Sequence, residues 1–175
     1  MDLNQKLKQT LLQAIHACYV DVPVLTQLEE HGGWILKKDD EYKFFFLRNS
    51  NTGTVRAQML FSADSKDVAN GPLKAMMREG WTNYGTFHTH PQFSITPSSI
   101  DWNLLFQNSK HNFIYSPATE QLGCSVRDGG DDENQEWVNH VWDVVSGDFV
   151  KVATVKRVQH VDTKKIHDDD GMAVT

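Results

Sequence analysis

Cysteine, proline and uninterrupted apolar sequence are all scarce in this chain, and each scarcity closes off a class of protein. Cys18 and Cys124 are the only cysteines among 175 residues and show no C-x-x-C spacing, so neither a disulfide framework nor a thiolate metal cluster is expected. No apolar run approaches the roughly 20 residues that span a bilayer, and the N-terminus lacks a basic stretch followed by an apolar one. Neither a membrane partner nor a secretion signal is therefore expected, and a cytoplasmic setting is the default. Positive charge is also short. Seventeen Lys and Arg against 23 Asp and Glu give a net charge of −6, which argues against nucleic acid as a partner because phosphate binding needs a basic face. Internal repeats are absent too. What remains is a single globular domain, with 39% hydrophobic residues and five tryptophans to build its core.

Periodicity places the elements. Leu3, Leu7, Leu11, Ala14, Ile15 and Cys18 recur at helical spacing, predicting an amphipathic helix over residues 2–18. Pro23 interrupts it, and 24–30 can form another helical turn. Gly32-Gly33 then allow a sharp change of direction into a strand at Trp34–Lys37. Residues 42–48 and 54–61 read as a hairpin, and the run Phe44-Phe45-Phe46-Leu47, apolar on both faces, as a central buried strand. A weaker helix covers 64–78, broken or restarted at Gly71-Pro72. Residues 81–88 form a strand, 92–96 a loop, 97–109 a helix, and 111–115 and 122–127 two further strands. Asp128–Glu136 is an acidic loop in which Gly129-Gly130 makes a turn. Residues 137–145 and 149–158 alternate well enough for a hairpin, although the first also fits a helix. The order suits an α/β protein, an α/β/α sandwich around a mixed sheet, with one domain over 1–158 and a polar tail over 159–175.

One stretch carries chemistry. In GTFHTHPQFSITPSSIDW, the period of two along a strand places His88 and His90 on one face, about 7 Å apart. Asp101 follows on the next element. Two imidazoles and a carboxylate make the three protein ligands of a catalytic zinc, which keeps a fourth position open. Ser98 and Asp101 also fit a capping box, with Pro97 leading into the helix. That structural role does not compete with the chemical one, because residues three apart share a helix face. His111 is best read as a satisfied core or surface histidine, and His160 and His167 as surface ones.

These residues resemble the JAMM (MPN-plus) zinc metalloproteases, the family that also holds the bacterial deubiquitinase-like Prok-JAB members. Its signature of H-x-H, seven residues, S, two residues and D is matched by His88, His90, Ser98 and Asp101, with Thr89 and Pro91 as familiar neighbours. The family places a glutamate upstream, in an E-x-x-G context before a hydrophobic strand. Glu30-His31-Gly32-Gly33 matches, and Glu29 adjoins it. The resemblance implies a cytidine-deaminase-like core, one Zn2+ held by His88, His90 and Asp101, Glu30 as proton shuttle and Ser98 as oxyanion donor. It also implies hydrolysis of peptide or isopeptide bonds after the tail of a ubiquitin-like protein, in deconjugation or precursor processing, and E1-like or E2-like proteins of the same operon as partners. A zinc-free scaffold of the same fold, or an amidase for unrelated peptides, are the competing expectations. A zinc deaminase lacks its P-C-x-x-C partner here, and an iron oxygenase leaves Ser98 and Glu30 unexplained.

Overall fold

The apolar stripe that begins at Leu3 becomes helix α1, Gln5–Ile15, which the Asn4 side chain caps by accepting the Leu7 N–H at 2.8 Å. A π-helical turn, His16–Val20, extends it. The structure is a computed structural model that describes residues 1–23, 27–47 and 71–162. Its strands are β1 (Gly32–Lys38), β2 (Glu41–Leu47), β3 (Thr82–Thr89), β4 (His111–Ser116), β5 (Gln121–Gly130), β6 (Asn134–Val145) and β7 (Asp148–His160). They form one sheet in the order β2-β1-β3-β4-β5-β6-β7, with β3 and β4 parallel and every other pair antiparallel.

Both faces of the sheet are covered, as expected of an α/β/α sandwich. On one, Leu7, Leu11, Ala14 and Ile15 of α1 pack against Ile35, Phe87, Phe113, Leu122 and Trp142. On the other, Leu73 of α2 (Pro72–Arg78) joins Trp102 of α3 (Ser99–Asn103), Phe106, Trp34, Ile114 and Trp137. Among the described residues no helix is long and apolar enough to cross a membrane.

Several elements depart from the pattern read in the sequence. Phe44–Leu47 does not form a central strand: β2 is the outermost strand among the described residues, and Phe46 is 46% exposed. Gln27 to Glu29 is turn and bend, and Glu30 is irregular, rather than helix. Residues 24–26, the second strand of the expected hairpin at 54–61, and the first part of the helix at 64–78 lie outside the described residues. The helix at 97–109 is two pieces, α3 and a 3-10 turn at Leu105–Asn108, separated at Leu104. Trp102, Leu104, Leu105 and Phe106 are all buried. An unbroken helix would swing some of them into solvent, and the break lets all four face inward.

The acidic loop is shorter than its composition suggests. β5 runs to Gly130 and β6 starts at Asn134, so only three residues turn. Asp131 closes that turn by accepting the N–H groups of Glu133 and Asn134 at 3.0 and 2.8 Å. Residues 137–145 are strand, not helix, and β6 meets β7 through Ser146 and Gly147, both with positive φ, as a two-residue hairpin turn requires. β7 continues to His160, past the expected end of the domain, and Val161 beyond it is fully buried. β7 is the other outer strand among the described residues, exposing Val150, Val152, Val155 and Val158.

His140 on β6 gives the fold an acid-sensitive point. It is 6% exposed, and its Nδ1 accepts a hydrogen bond from Lys151 Nζ at 2.8 Å. Burial, then the Lys151 charge, push its pKa down to about 4. The unfolded chain, titrating near 6.5, binds the proton more readily. This stabilisation is thus complete above about pH 6.5 and is lost as pH falls toward 4. Denaturant midpoints should drop across that window, and His140→Gln should shrink the drop; an equal drop in the variant would place the acid sensitivity elsewhere.

Candidate metal centre

The centre forms where β1 and β3 run antiparallel, Gly32 opposite His88. The alternation of β3 aims the His88 and His90 rings the same way and Thr89 the other. Thr89 clasps the chain beside Glu30: its N–H donates to the His31 carbonyl at 2.9 Å, and its hydroxyl oxygen accepts the His31 N–H at 3.1 Å. On the far side, the His90 N–H reaches the Tyr115 carbonyl on β4 at 2.9 Å. Both ends of the histidine pair are therefore tied to neighbouring strands.

Gly32 and Gly33 turn out to serve closeness rather than a bend. Both are extended within β1, and neither has positive φ. A Cβ on Gly32 would stand 2.1 Å from the Phe87 carbonyl oxygen, and one on Gly33 2.0 Å from that of Phe45. Gly32→Ala must push β1 away from β3 and carry Glu30 with it. The expected cost is about 1–3 kcal/mol of stability, as for other overpacked sites, read as a lower urea midpoint. An unchanged midpoint would show that the strands can separate freely.

Glu30, His88, His90 and Asp101 converge, each buried, with one donor atom apiece lying within 4.8 Å of all the others. The two Nε2 atoms are 3.0 Å apart. Asp101 Oδ1 lies 3.2 Å from His88 Nε2, and Oδ2 lies 3.3 Å from His90 Nε2. Glu30 stands further back, Oε1 at 3.7 Å from His88 Nε2 and Oε2 at 3.8 Å from His90 Nε2. Tetrahedral bonds of about 2.0–2.2 Å set donor atoms roughly 3.3 Å apart, so His88, His90 and Asp101 have the spacing of a shared cation.

The supporting bonds agree with that role. His90 Nδ1 lies 2.9 Å from the Ser94 carbonyl, which can only accept, so the ring keeps its proton there and presents a bare Nε2 when neutral. The capping box is formed: Ser98 N–H donates to Asp101 Oδ2 at 2.9 Å, and Asp101 N–H to Ser98 Oγ at 3.2 Å. Asp101 Oδ1 is left buried with no hydrogen-bond partner. A buried carboxylate oxygen so placed, 3.2 Å from His88 Nε2, is what a cation satisfies.

Without a cation the charges lean on one another. Burial alone would raise the Asp101 pKa, but the adjoining imidazoles, His88 first, hold it well below the carboxylate range. Burial alone would lower that of His90, yet Asp101 and then Glu30 carry it above its ordinary value. The site thus prefers positive charge beside its carboxylates, which a divalent ion supplies in concentrated form.

Of the residues singled out in the sequence, Glu30, His88, His90 and Asp101 come together, and Glu29, only half-buried, is not in the group. Ser98 is fixed to Asp101 at the start of α3. His111 stacks on Tyr84 at 4.1 Å and sits apart as a packing residue. The Ser94 carbonyl and the Thr89–His31 clasp were missed, because a main-chain oxygen and a strand-end threonine leave no mark in a motif.

Comparison with known proteins places this geometry. Residues 25–157 match the family model described as prokaryotic homologs of the JAB domain. No curated protein matches the chain. Among solved structures, the solution structure of protein DSY2949 from Desulfitobacterium hafniense is similar at 17% identity and a TM-score of 0.44, over 91% of this chain and 88% of that one. The family match spans three quarters of the sequence and contains Glu30, both histidines, Ser98 and Asp101; the chain belongs to the prokaryotic homologs of the JAB domain.

Proposed function

We propose that this chain is a zinc-dependent peptidase or isopeptidase that cleaves after the C-terminal tail of a ubiquitin-like protein, in deconjugation or precursor processing. The observation that carries the hydrolytic reading is Glu30: a buried carboxylate 3.7–3.8 Å from both imidazole nitrogens, just outside the spacing of the other three donors. His88, His90 and Asp101 would hold the zinc. When bound, zinc lowers the pKa of water to about 7 and polarises a substrate carbonyl. Glu30 takes the proton from the attacking water and passes it to the departing amine. Ser98 Oγ accepts the Asp101 N–H and so keeps its own proton for the developing oxyanion, a role that contributes roughly 3 kcal/mol to the barrier. The bonds made and broken are those of amide hydrolysis.

The substrate class rests on the family resemblance, as do E1-like or E2-like partners, and a reducing cytoplasmic setting accords with two buried free thiols, Cys18 and Cys124. Metal analysis combined with cleavage of ubiquitin-like proteins carrying tail fusions tests the proposal. Zinc bound and tails released would support it. Zinc bound with unrelated peptide amides cleaved instead would move the substrate class, and no metal bound would favour an inactive scaffold.

A further inference from the structure

A cleft of about 240 Å3 is lined by residues that adjoin those of the candidate metal centre in sequence and in strand register. Ile95, on one side, follows the residue whose carbonyl holds His90, and Pro97 precedes Ser98. Ile114, on the floor, is the cross-strand neighbour of His88. The sheet face that carries His88 thus continues under this cleft across β4 to β7. Gly123 lets Ile95 seat closely on β5 as one wall: a Cβ there would meet the Ile95 side chain at 3.0 Å.

The chemistry of the lining is specific. Thr86, Asn112, Ser125, Asn139 and Val155 form one straight row across five strands. Within it the Thr86 hydroxyl donates to Asn112 Oδ1 at 2.7 Å, and the Ser125 hydroxyl to Asn139 Oδ1 at 2.6 Å. Asn139 is oriented by that bond, and its Nδ2 finds no acceptor among the described residues. At the rim, Arg157 is held in place by the Trp102 ring at 5.1 Å and by the Gln159 side chain at 2.6 Å, and no described carboxylate pairs with it. The cleft therefore offers apolar walls, two amide protons and a positioned guanidinium.

We propose that this cleft is a specificity pocket for one acidic side chain of the substrate, a glutamate near the scissile bond. Its stem would lie on Ile95 and Val155, and its carboxylate would meet Asn139 Nδ2 and Arg157. The space suits a single side chain, and its donors suit a carboxylate rather than an ammonium group. The inference rests on the peptidase reading, and its test separates the two.

Fluorescein-labelled hexapeptides with a central Gly-Gly and Glu, Gln or Lys at each flanking position are titrated by anisotropy against zinc-loaded Glu30→Gln protein, and offered to the wild type for cleavage. Glu peptides should bind about tenfold more tightly than Lys peptides at one position. Adding Arg157→Glu, at an exposed residue, should reverse that order, and adding Asn139→Leu should weaken the Glu preference. An order unchanged by Arg157→Glu, or no binding by any peptide, overturns the pocket. Discrimination without cleavage by the wild type keeps the pocket and sinks the peptidase reading; cleavage without discrimination does the reverse.

Discussion

Replacing Glu30 by glutamine is expected to slow amide hydrolysis by about 10²–10⁴ while the metal stays bound. Glutamine matches glutamate in shape, so the fit between β1 and β3 is preserved, and only the capacity to take up a proton is removed. His88, His90 and Asp101 lie within 3.3 Å of one another and do not need Glu30 to close their spacing. Turnover and metal content measured on the same preparation check this. Turnover within a few-fold of wild type would remove Glu30 from the chemistry, and loss of metal would make it a ligand instead.

Substitution of Asp101 should be the most damaging change, and it can be divided into two effects. Asp101→Asn keeps an acceptor for the Ser98 N–H, and with it the cap of α3, but gives up the anionic oxygen aimed at the imidazoles. Its expected result is loss of metal binding and hence of turnover. The stabilisation that saturating metal confers, about 4 kcal/mol at a thousandfold excess over Kd, should disappear with it. Asp101→Ala should also lose the reciprocal half of the capping box, the bond from the Ser98 N–H, at about 0.5–1.5 kcal/mol in the metal-free protein, while the Ser98 Oγ cap on the main-chain N–H of residue 101 remains. Melting curves with and without zinc, for both variants, separate the terms. A zinc-induced shift that survives in Asp101→Asn would show that the two histidines suffice.

The histidine pair and Asp101 could be read from the chain because the geometry that unites them is local: a strand period of two, then one loop, then one helical turn. Glu30 comes from 58 residues before His88, and only its resemblance to a known context singled it out; strand pairing then supplies the proximity. Elements whose neighbours decide their character were less legible. Phe44–Leu47 has the apolar density of a central strand but lies outermost among the described residues, and the break at Leu104 depends on which side chains the sheet can cover. The glycines that open β1 could be recognised as necessary, but not that the need was for close approach. No local pattern encodes the distance between one strand's Cα and the next strand's carbonyl.

That last distance has a wider bearing. Because Gly32 lets two main chains touch beside His88, the reach from acid to imidazole is set in large part by the close pairing of β1 and β3. In the loop that follows His90, Phe93 and Thr96 are exposed and take no part in that pairing. Such a protein can trade one clientele for another by altering its rim, while the reacting groups keep their separation to within the stiffness of a peptide plane.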